Sequence, residues 1–286
     1  MHISVIGLWR DSEPYIHRTL SQLGSLKSLN DFKFDFYFYE NDSVDSTKDI
    51  LKNWCDSNSA TFGSENLNLP KYGSVTTVNR LILLSLYRNK LKNLAKNSDS
   101  DFTLMIDTDI IFSTQNFLQL LNSIKKLNAG MVCANTRQND IKDCIADLPT
   151  SSDSFYDVFA LRDIYHNNGI YFSDCPMILE SDRQKWFNNE PVQIRSGFSG
   201  FALIRTPILQ KCYWSTCGHS EHVNFCNDVT QYGNIFIIPE CKTYTEIDTS
   251  MITPEKYLEV QKMQRQIVLN TNRIYNLSLQ TSLYAR

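Results

Sequence analysis

The chain has 286 residues, a formal net charge of −3, and hydrophobic and charged fractions of 42% and 21%. That composition suits a soluble globular enzyme, and a chain this long can bury roughly three quarters of the surface it would expose unfolded. The slightly acidic balance argues against a nucleic-acid partner, and no run of ~18 apolar residues is available to span a membrane.

In chain order, Ile3-Ser4-Val5-Ile6-Gly7-Leu8-Trp9 reads as a first strand rather than a leader, because no charged segment precedes an apolar one. The expectation is therefore a cytoplasmic protein, at most peripheral to a membrane. Ser12-Glu13-Pro14 opens a helix carrying Ile16, Leu20 and Leu23 on one face. Residues 32–39 place Phe at every second position, which makes one face of a strand wholly apolar. The polar run Glu40-Asn41-Asp42-Ser43 follows, and then a helix that Ser43 or Asp45 can cap and that Ile50, Leu51 and Trp54 anchor. Residues 57–76, rich in Ser, Asn, Gly and Pro, read as a loop. Val78 to Lys96 reads as a helix bearing Arg80 and Arg88 on its surface, and Phe102-Thr103-Leu104-Met105-Ile106 as a buried central strand.

A further helix (Phe117, Leu120, Leu121, Ile124) and a strand from Gly130 to Ala134 complete a regular strand–helix alternation over residues 1–135. This predicts an α/β fold with a mostly parallel central sheet and helices on both faces. The region 136–245 is less regular, with a polar loop at 138–154, short strands near 191–205, a helix from Gly218 to Gln231 and a strand from Asn234 to Ile238. A helical extension, 246–286, begins near Pro254. The whole reads as one domain. Eight cysteines, at 55, 133, 144, 175, 212, 217, 226 and 241, are read as free structural thiols.

Asp107-Thr108-Asp109 is the sharpest chemical feature. Two carboxylates follow a buried strand at the end where open α/β sheets bind ligands. Hard oxygen ligands suit Mg²⁺ or Mn²⁺ shared with phosphate oxygens. Glu40 to Thr47 is a second polar constellation, fitted both to cap a helix and to accept hydrogen bonds from a ribose or base. Glu221 and His222 fall in the first turn of a helix, where unpartnered N–H groups favour an anion. A carboxylate there can serve as a general base. Cys217-x-His219-x-x-His222-x-x-x-Cys226 lacks the spacing of a zinc site.

The order of a strand, Glu-Asn-Asp-Ser-x-Asp-x-Thr, a helix with Arg88-Asn89 and an apolar strand ending in Asp-x-Asp resembles GT-A glycosyltransferases. More narrowly it is similar to the fungal capsule α-1,3-mannosyltransferases and related small viral and bacterial enzymes. Tyr156-Asp157-Val158-Phe159-Ala160-Leu161-Arg162, Ser196-Gly197-Phe198-Ser199-Gly200-Phe201 and Ser220-Glu221-His222-Val223-Asn224-Phe225-Cys226 extend the likeness over residues 3–240.

The resemblance implies a UDP- or GDP-sugar donor held in the first half of the chain and a glycan or glycoconjugate acceptor in the second. It implies that Arg10, Glu40, Asn41, Arg88, Asp107, Asp157 and Arg162 bind the nucleotide-sugar, and that Gly197 and Gly200 face the acceptor. Asp107, Asp109 and His222 would hold Mn²⁺ or Mg²⁺, and Glu221 and Asp109 would act in catalysis. Two alternatives share the pattern: a non-catalytic carbohydrate-binding module, and a sugar-phosphate nucleotidyltransferase. The second usually carries a Gly-rich basic loop after its first strand, which Gly7-Leu8-Trp9-Arg10-Asp11 is not.

Overall fold

A computed structural model describes residues 1–72, 77–138, 154–171, 173–216 and 219–245, with positions 266, 269 and 272 beyond them. Most of the expected polar loop at 138–154, the start of the expected C-terminal helix at Pro254, and Cys144 and Cys217 lie outside the described residues.

The first half alternates as the hydrophobic pattern predicts. It runs β1 (His2–Trp9), α1 (Glu13–Leu26), β2 (Lys33–Asn41), α2 (Thr47–Asn58), β3 (Thr61–Glu65), α3 (Val78–Leu94), β4 (Phe102–Ile106), β5 (Ile110–Ile111), α4 (Thr114–Lys126) and β6 (Met131–Gln138). The second half holds β7 (Ser154–Phe155), β8 (Arg162–Asp163), α5 (Glu180–Phe187), β9 (Val192–Ser196), β10 (Phe201–Arg205), α6 (Thr206–Leu209), α7 (Glu221–Val229) and β11 (Ile235–Thr245).

Among the described residues these strands form one sheet in the order β3-β2-β1-β4-β10-β6-β11-β9-β8, with β5 added on β11 and β7 on β6. Strands β3, β2, β1 and β4 are mutually parallel, β10 is antiparallel to both β4 and β6, and β6 is parallel to β11. With β8, which is antiparallel to β9 as β9 is to β11, seven strands therefore point one way, and β1, β2, β4, β6 and β11 end at one edge. That edge carries the site.

Strand alternation sorts the core into two layers. Ile3, Val5, Phe36, Phe38, Leu104, Ile106, Val132 and Ala134 face the layer completed by Ile16, Leu20 and Leu23 of α1, Leu51 of α2 and Phe117 and Leu121 of α4. Ile6, Tyr39, Met105, Met131 and Cys133 face the opposite layer, with Tyr87 and Leu91 of α3, Trp186 of α5, Ile208 of α6 and Phe225 and Val229 of α7. The period-2 Phe face of β2 is used as expected. Phe36 and Phe38 pack edge-to-face or tilted on Trp54 at 5.4 and 5.7 Å.

The structure departs from the sequence reading at several places, among them the following. Residues 61–65, expected as loop, form edge strand β3 beside β2. Helix α2 starts at Thr47 rather than at Ser43, with Asp45 Oδ1 accepting from the Thr47 N–H at 3.0 Å. Strand β11 continues past Ile238 to Thr245 through a register shift around Pro239, whose ring nitrogen cannot donate to a ladder. Cys55, Cys133, Cys175, Cys212, Cys226 and Cys241 are free and buried, as expected.

Leu104 is fully buried in the central strand. Leu104→Ala should cost about 2–5 kcal/mol of stability through lost transfer energy and a residual cavity. Denaturant unfolding checks this; a change within experimental scatter would contradict the placement of β4 at the centre.

Candidate active site

Loops at the ends of β1, β2 and β4 are tied together by hydrogen bonds. The Asp11 and Ser12 N–H groups donate to Ser43 Oγ at 3.1 Å and Thr47 Oγ1 at 2.6 Å, and the Val44 N–H donates to Asp11 Oδ1 at 2.9 Å. Ser12 Oγ then reaches Thr108 Oγ1 at 3.2 Å. Glu40 folds back into this network, taking the Ser43 N–H at 2.8 Å and the Ser64 hydroxyl at 2.7 Å, and is 1% exposed. Asp42 has φ 52°, a left-handed conformation that Asp tolerates better than most residues, and accepts from the Leu67 and Asn68 N–H groups.

Beneath these loops, Asp107 and Asp109 emerge from the end of β4. The Asp107 N–H donates to the Gly200 carbonyl at 2.8 Å, which fixes the strand end against the turn entering β10. Gly200 has φ +64°, and a Cβ there would lie 2.6 Å from Ile110 Cδ1. The glycine requirement is therefore set by the turn and by Ile110. At Gly197 a Cβ would meet Ile194 Cδ1 at 2.8 Å, so this glycine also answers to internal packing. Asp109 Oδ2 accepts from the Thr245 hydroxyl at 3.0 Å, which joins the site to the end of β11.

Arg88 gathers the carboxylates. Its Nε donates to Glu221 Oε1 at 2.9 Å and its Nη2 to Asp107 Oδ1 at 3.3 Å, with the guanidinium over the Phe198 ring at 4.9 Å. Glu221 begins α7 behind the N-cap Ser220, as the sequence pattern predicts, although the helix is shorter than expected. His222 stacks on Phe198 with centroids 4.2 Å apart, and its Nδ1 faces the Trp214 indole N–H at 3.4 Å. With Nδ1 accepting, the neutral ring carries its proton on Nε2, which lies 3.4 Å from Glu221 Oε1. Burial and the nearby Arg88 charge hold the His222 pKa well below the ordinary imidazole value.

The carboxylates crowd one another. Removal from water, partly offset by Arg88 and reinforced by Asp109 and Glu221, pushes the Asp107 carboxyl up to about 6. Asp157 accepts from the Ser199 N–H at 2.8 Å, yet burial and the charges of Asp107 and Glu221 bring it to about 7. Such an accumulation of oxygen ligands suits a hard divalent cation. Among the described residues no three His, Cys, Asp or Glu side chains gather as a closed metal cage. The donor set offered by Asp107 and Asp109 is one that phosphate oxygens and water would complete.

A cleft of about 310 Å³ opens beside this cluster, lined by Asp107, Thr108, Asp109 and Tyr156, by Arg10, Asp11 and Asn41 from the β1 and β2 ends, and by Arg80, Tyr87 and Arg88 of α3. Lys71 and Tyr72 close it from the loop before α3. Tyr87 has a buried hydroxyl without a hydrogen-bond partner among the described residues. A second cavity of about 280 Å³ lies across Arg10, bordered by Glu40, Asp42, Lys48 and Glu65. Arg10, Asn41, Arg88, Asp107 and Asp109 thus share one cleft, Glu40 borders the adjoining one, and Asp157, Glu221 and His222 pack behind Asp107 and Arg88. Arg162 stands apart from these ion pairs; its Nη1 donates to the Phe159 and Leu161 carbonyls.

Residues 12–242 match the family model described as cryptococcal mannosyltransferase 1. No curated protein matches the chain at a significant level. Among solved structures, the chain is similar to S. aureus TarS 1–349 in complex with UDP-GlcNAc, at 15% identity and a TM-score of 0.50 over 94% of this chain and 67% of that one. It is also similar to GalNAc-T7 with UDP, GalNAc and Mn²⁺, at 12% identity and a TM-score of 0.53 over 92% of this chain and 48% of that one. The TarS 1–349 structure without that ligand aligns over 66% of its length, so the chain spans just under two thirds of it. At these identities the likeness establishes the fold, which is GT-A.

Asp157 supplies a pH test. Its folded value of about 7 lies above the ordinary 3.8, so the folded protein keeps a proton that the unfolded chain has already released. This contribution to stability is fully present below the unfolded value and is lost as pH rises through about 7. In EDTA, the melting temperature of Asp157→Asn should gain on the wild type between about pH 4 and about pH 7. Parallel profiles for the two proteins would contradict the buried placement of this carboxyl.

Proposed function

The chain belongs to the family described as cryptococcal mannosyltransferase 1, and from that premise we propose that it is a glycosyltransferase. It moves a sugar from a UDP- or GDP-linked donor to a hydroxyl of a glycan or glycoconjugate, with Mn²⁺ or Mg²⁺ as cofactor. The observation that carries this reading is the cleft that brings Asp107 and Asp109 together with Arg10, Arg80 and Arg88 beside the carboxyl ends of β1 and β4.

The chemistry each residue can supply follows from its place. Arg10, Arg80, Arg88 and Lys71 line the cleft with positive charge that a diphosphate can meet. Tyr72 and Tyr87 offer ring faces and hydroxyls to a nucleoside, and Asn41 an amide. Asp107 and Asp109 hold the cation, which when bound offsets charge developing on the departing diphosphate. His222, its Nδ1 facing an indole N–H, is better placed to steady Glu221 than to ligate the metal. The loop from Gly197 to Gly200 borders the reacting end of the cleft through Gly200 and Asp107, which is where an acceptor would approach.

Glu221 admits two roles. As a general base it takes the proton of the attacking hydroxyl. As the partner of Arg88 at 2.9 Å it instead orients the guanidinium toward the diphosphate. No helix among the described residues is long and apolar enough to cross a membrane.

Hydrolysis of a panel of nucleotide-sugars, with and without Mn²⁺, tests the reading as a whole. Turnover is expected for one donor, is expected to stop in EDTA, and is expected to fall by ~10³-fold or more in Asp109→Ala. Full activity of that variant in EDTA would contradict the metal assignment, and no turnover or binding for any donor would contradict the transferase. Glu221→Gln separates the two roles. A large loss in kcat at unchanged donor affinity marks the base, whereas weakened donor binding marks the positioner of Arg88.

A further inference from the structure

A third cavity, of about 310 Å³, lies away from the donor cleft, between the end of α5 and the ends of β6 and β11. Asn135 and Arg137 reach it from β6, Lys242 and Pro239 from β11, and Trp186, Phe187 and Asn189 from α5 and the turn after it. These two strands are neighbours, with Asn135 paired to Lys242 across the register shift. The shift shapes the floor, because the Asn135 amide donates to the Pro239 carbonyl at 2.9 Å. Arg137 is 3% exposed and is held by the Asp174 carbonyl at 2.6 Å and by Asn135 Oδ1 at 3.3 Å.

Trp186 is fixed by an edge-on contact with Phe155 at 5.8 Å. Phe187 is 56% exposed, although it is a large apolar side chain at the mouth of a polar cavity. An exposed aromatic ring has an electron-rich face that packs on the apolar C–H face of a pyranose. The amide and guanidinium groups around it match the hydroxyls along a sugar's edge. Planar polar side chains and aromatic rings converging on one cavity are the recognition elements of a carbohydrate.

The position ties this cavity to the chemistry. Lys242 and Thr245 lie three residues apart on β11, a span of roughly 10 Å in an extended strand, and alternation puts their side chains on opposite faces of it. Thr245 hydrogen-bonds Asp109. One strand therefore runs from the carboxylate pair to the cavity, along the edge where β4, β6 and β11 all end.

Resting on the transferase reading above, we propose that this cavity is an acceptor subsite: it binds a hexose unit of an oligosaccharide at a distance from the hydroxyl being glycosylated. The donor cleft and this subsite together would give the enzyme a preference for chains over single sugars.

Saturation-transfer NMR tests this, with mono- and trisaccharides of mannose, glucose, galactose and N-acetylglucosamine as probes on the wild type, Phe187→Ala and Lys242→Ala. Calorimetry of UDP and GDP binding is run on the same three proteins. Phe187 and Lys242 are exposed, so neither substitution disturbs the core. One trisaccharide is expected to bind, to bind better than its monosaccharide, and to weaken about tenfold in Phe187→Ala, while nucleotide affinity stays the same in all three. No probe binding at millimolar concentration, or a trisaccharide signal untouched by both substitutions, would overturn the subsite and leave the donor site standing. Trisaccharide binding that responds to Phe187→Ala in a protein that binds neither nucleotide would instead overturn the transferase, and with it the acceptor role of the cavity, in favour of a binding module.

Discussion

The Arg88 guanidinium, held between Asp107 and Glu221, is the interaction on which the site depends. It joins α3, the end of β4 and the start of α7, three elements brought together only by the tertiary fold. Removing one partner from a pair so shielded from water costs about 3–5 kcal/mol, because the remaining charge is left uncompensated. Phe198 beneath the guanidinium and His222 stacked on Phe198 extend the contact into the loop that carries Gly200. Through Gly200 the chain returns to Asp107. The carboxylate that would meet a cation, the cation-bearing arginine and the turn that positions both are thus one closed circuit of contacts.

Around that circuit, the topology explains why charge is concentrated at one edge. Parallel strands end together, and β10 enters between β4 and β6 in the opposite sense. The turn before β10 therefore lies beside the end of β4 rather than at the far side of the sheet. Asp157 reaches the same place by accepting the Ser199 N–H. The charges of Asp109 and Glu221 raise the proton affinity of Asp107, and those of Asp107 and Glu221 raise that of Asp157, while Arg88 answers part of the charge on Asp107. A divalent cation and a diphosphate, arriving together, would complete the balance from both sides.

Much of this was legible in the sequence where one period or one motif decides the outcome. The Phe alternation of β2, the buried run of β4 ending at Asp107-Thr108-Asp109, and the placement of Glu221 in the first turn of a helix all follow from local pattern. Strand β3 was hidden because Thr61-Phe62-Gly63-Ser64-Glu65 carries turn-forming residues and pairs on one side only, with β2. Ser43 could not be told from Ser46 as the start of α2, because both precede an apolar face and the tie between Ser43 and Asp11 is tertiary. The basic wall was partly visible in Arg88, but the participation of Arg80, Lys71, Tyr72 and Thr245 needed the fold. Arg80 lies one helical face from Arg88 with Leu84 and Tyr87 between them, a spacing that could have signalled a shared surface.

On the proposed function, a nucleotide-sugar lies in the cleft lined by the α3 arginines and the Asp107–Asp109 pair. A crystal structure with UDP- or GDP-sugar and Mn²⁺ addresses it most directly. The diphosphate is expected between Arg10, Arg80 and Arg88 on one side and a cation held by Asp107 and Asp109 on the other, with the sugar directed toward Glu221 and the Gly197–Gly200 loop. A nucleotide bound elsewhere on the protein, or a cation held by neither aspartate, would contradict the account.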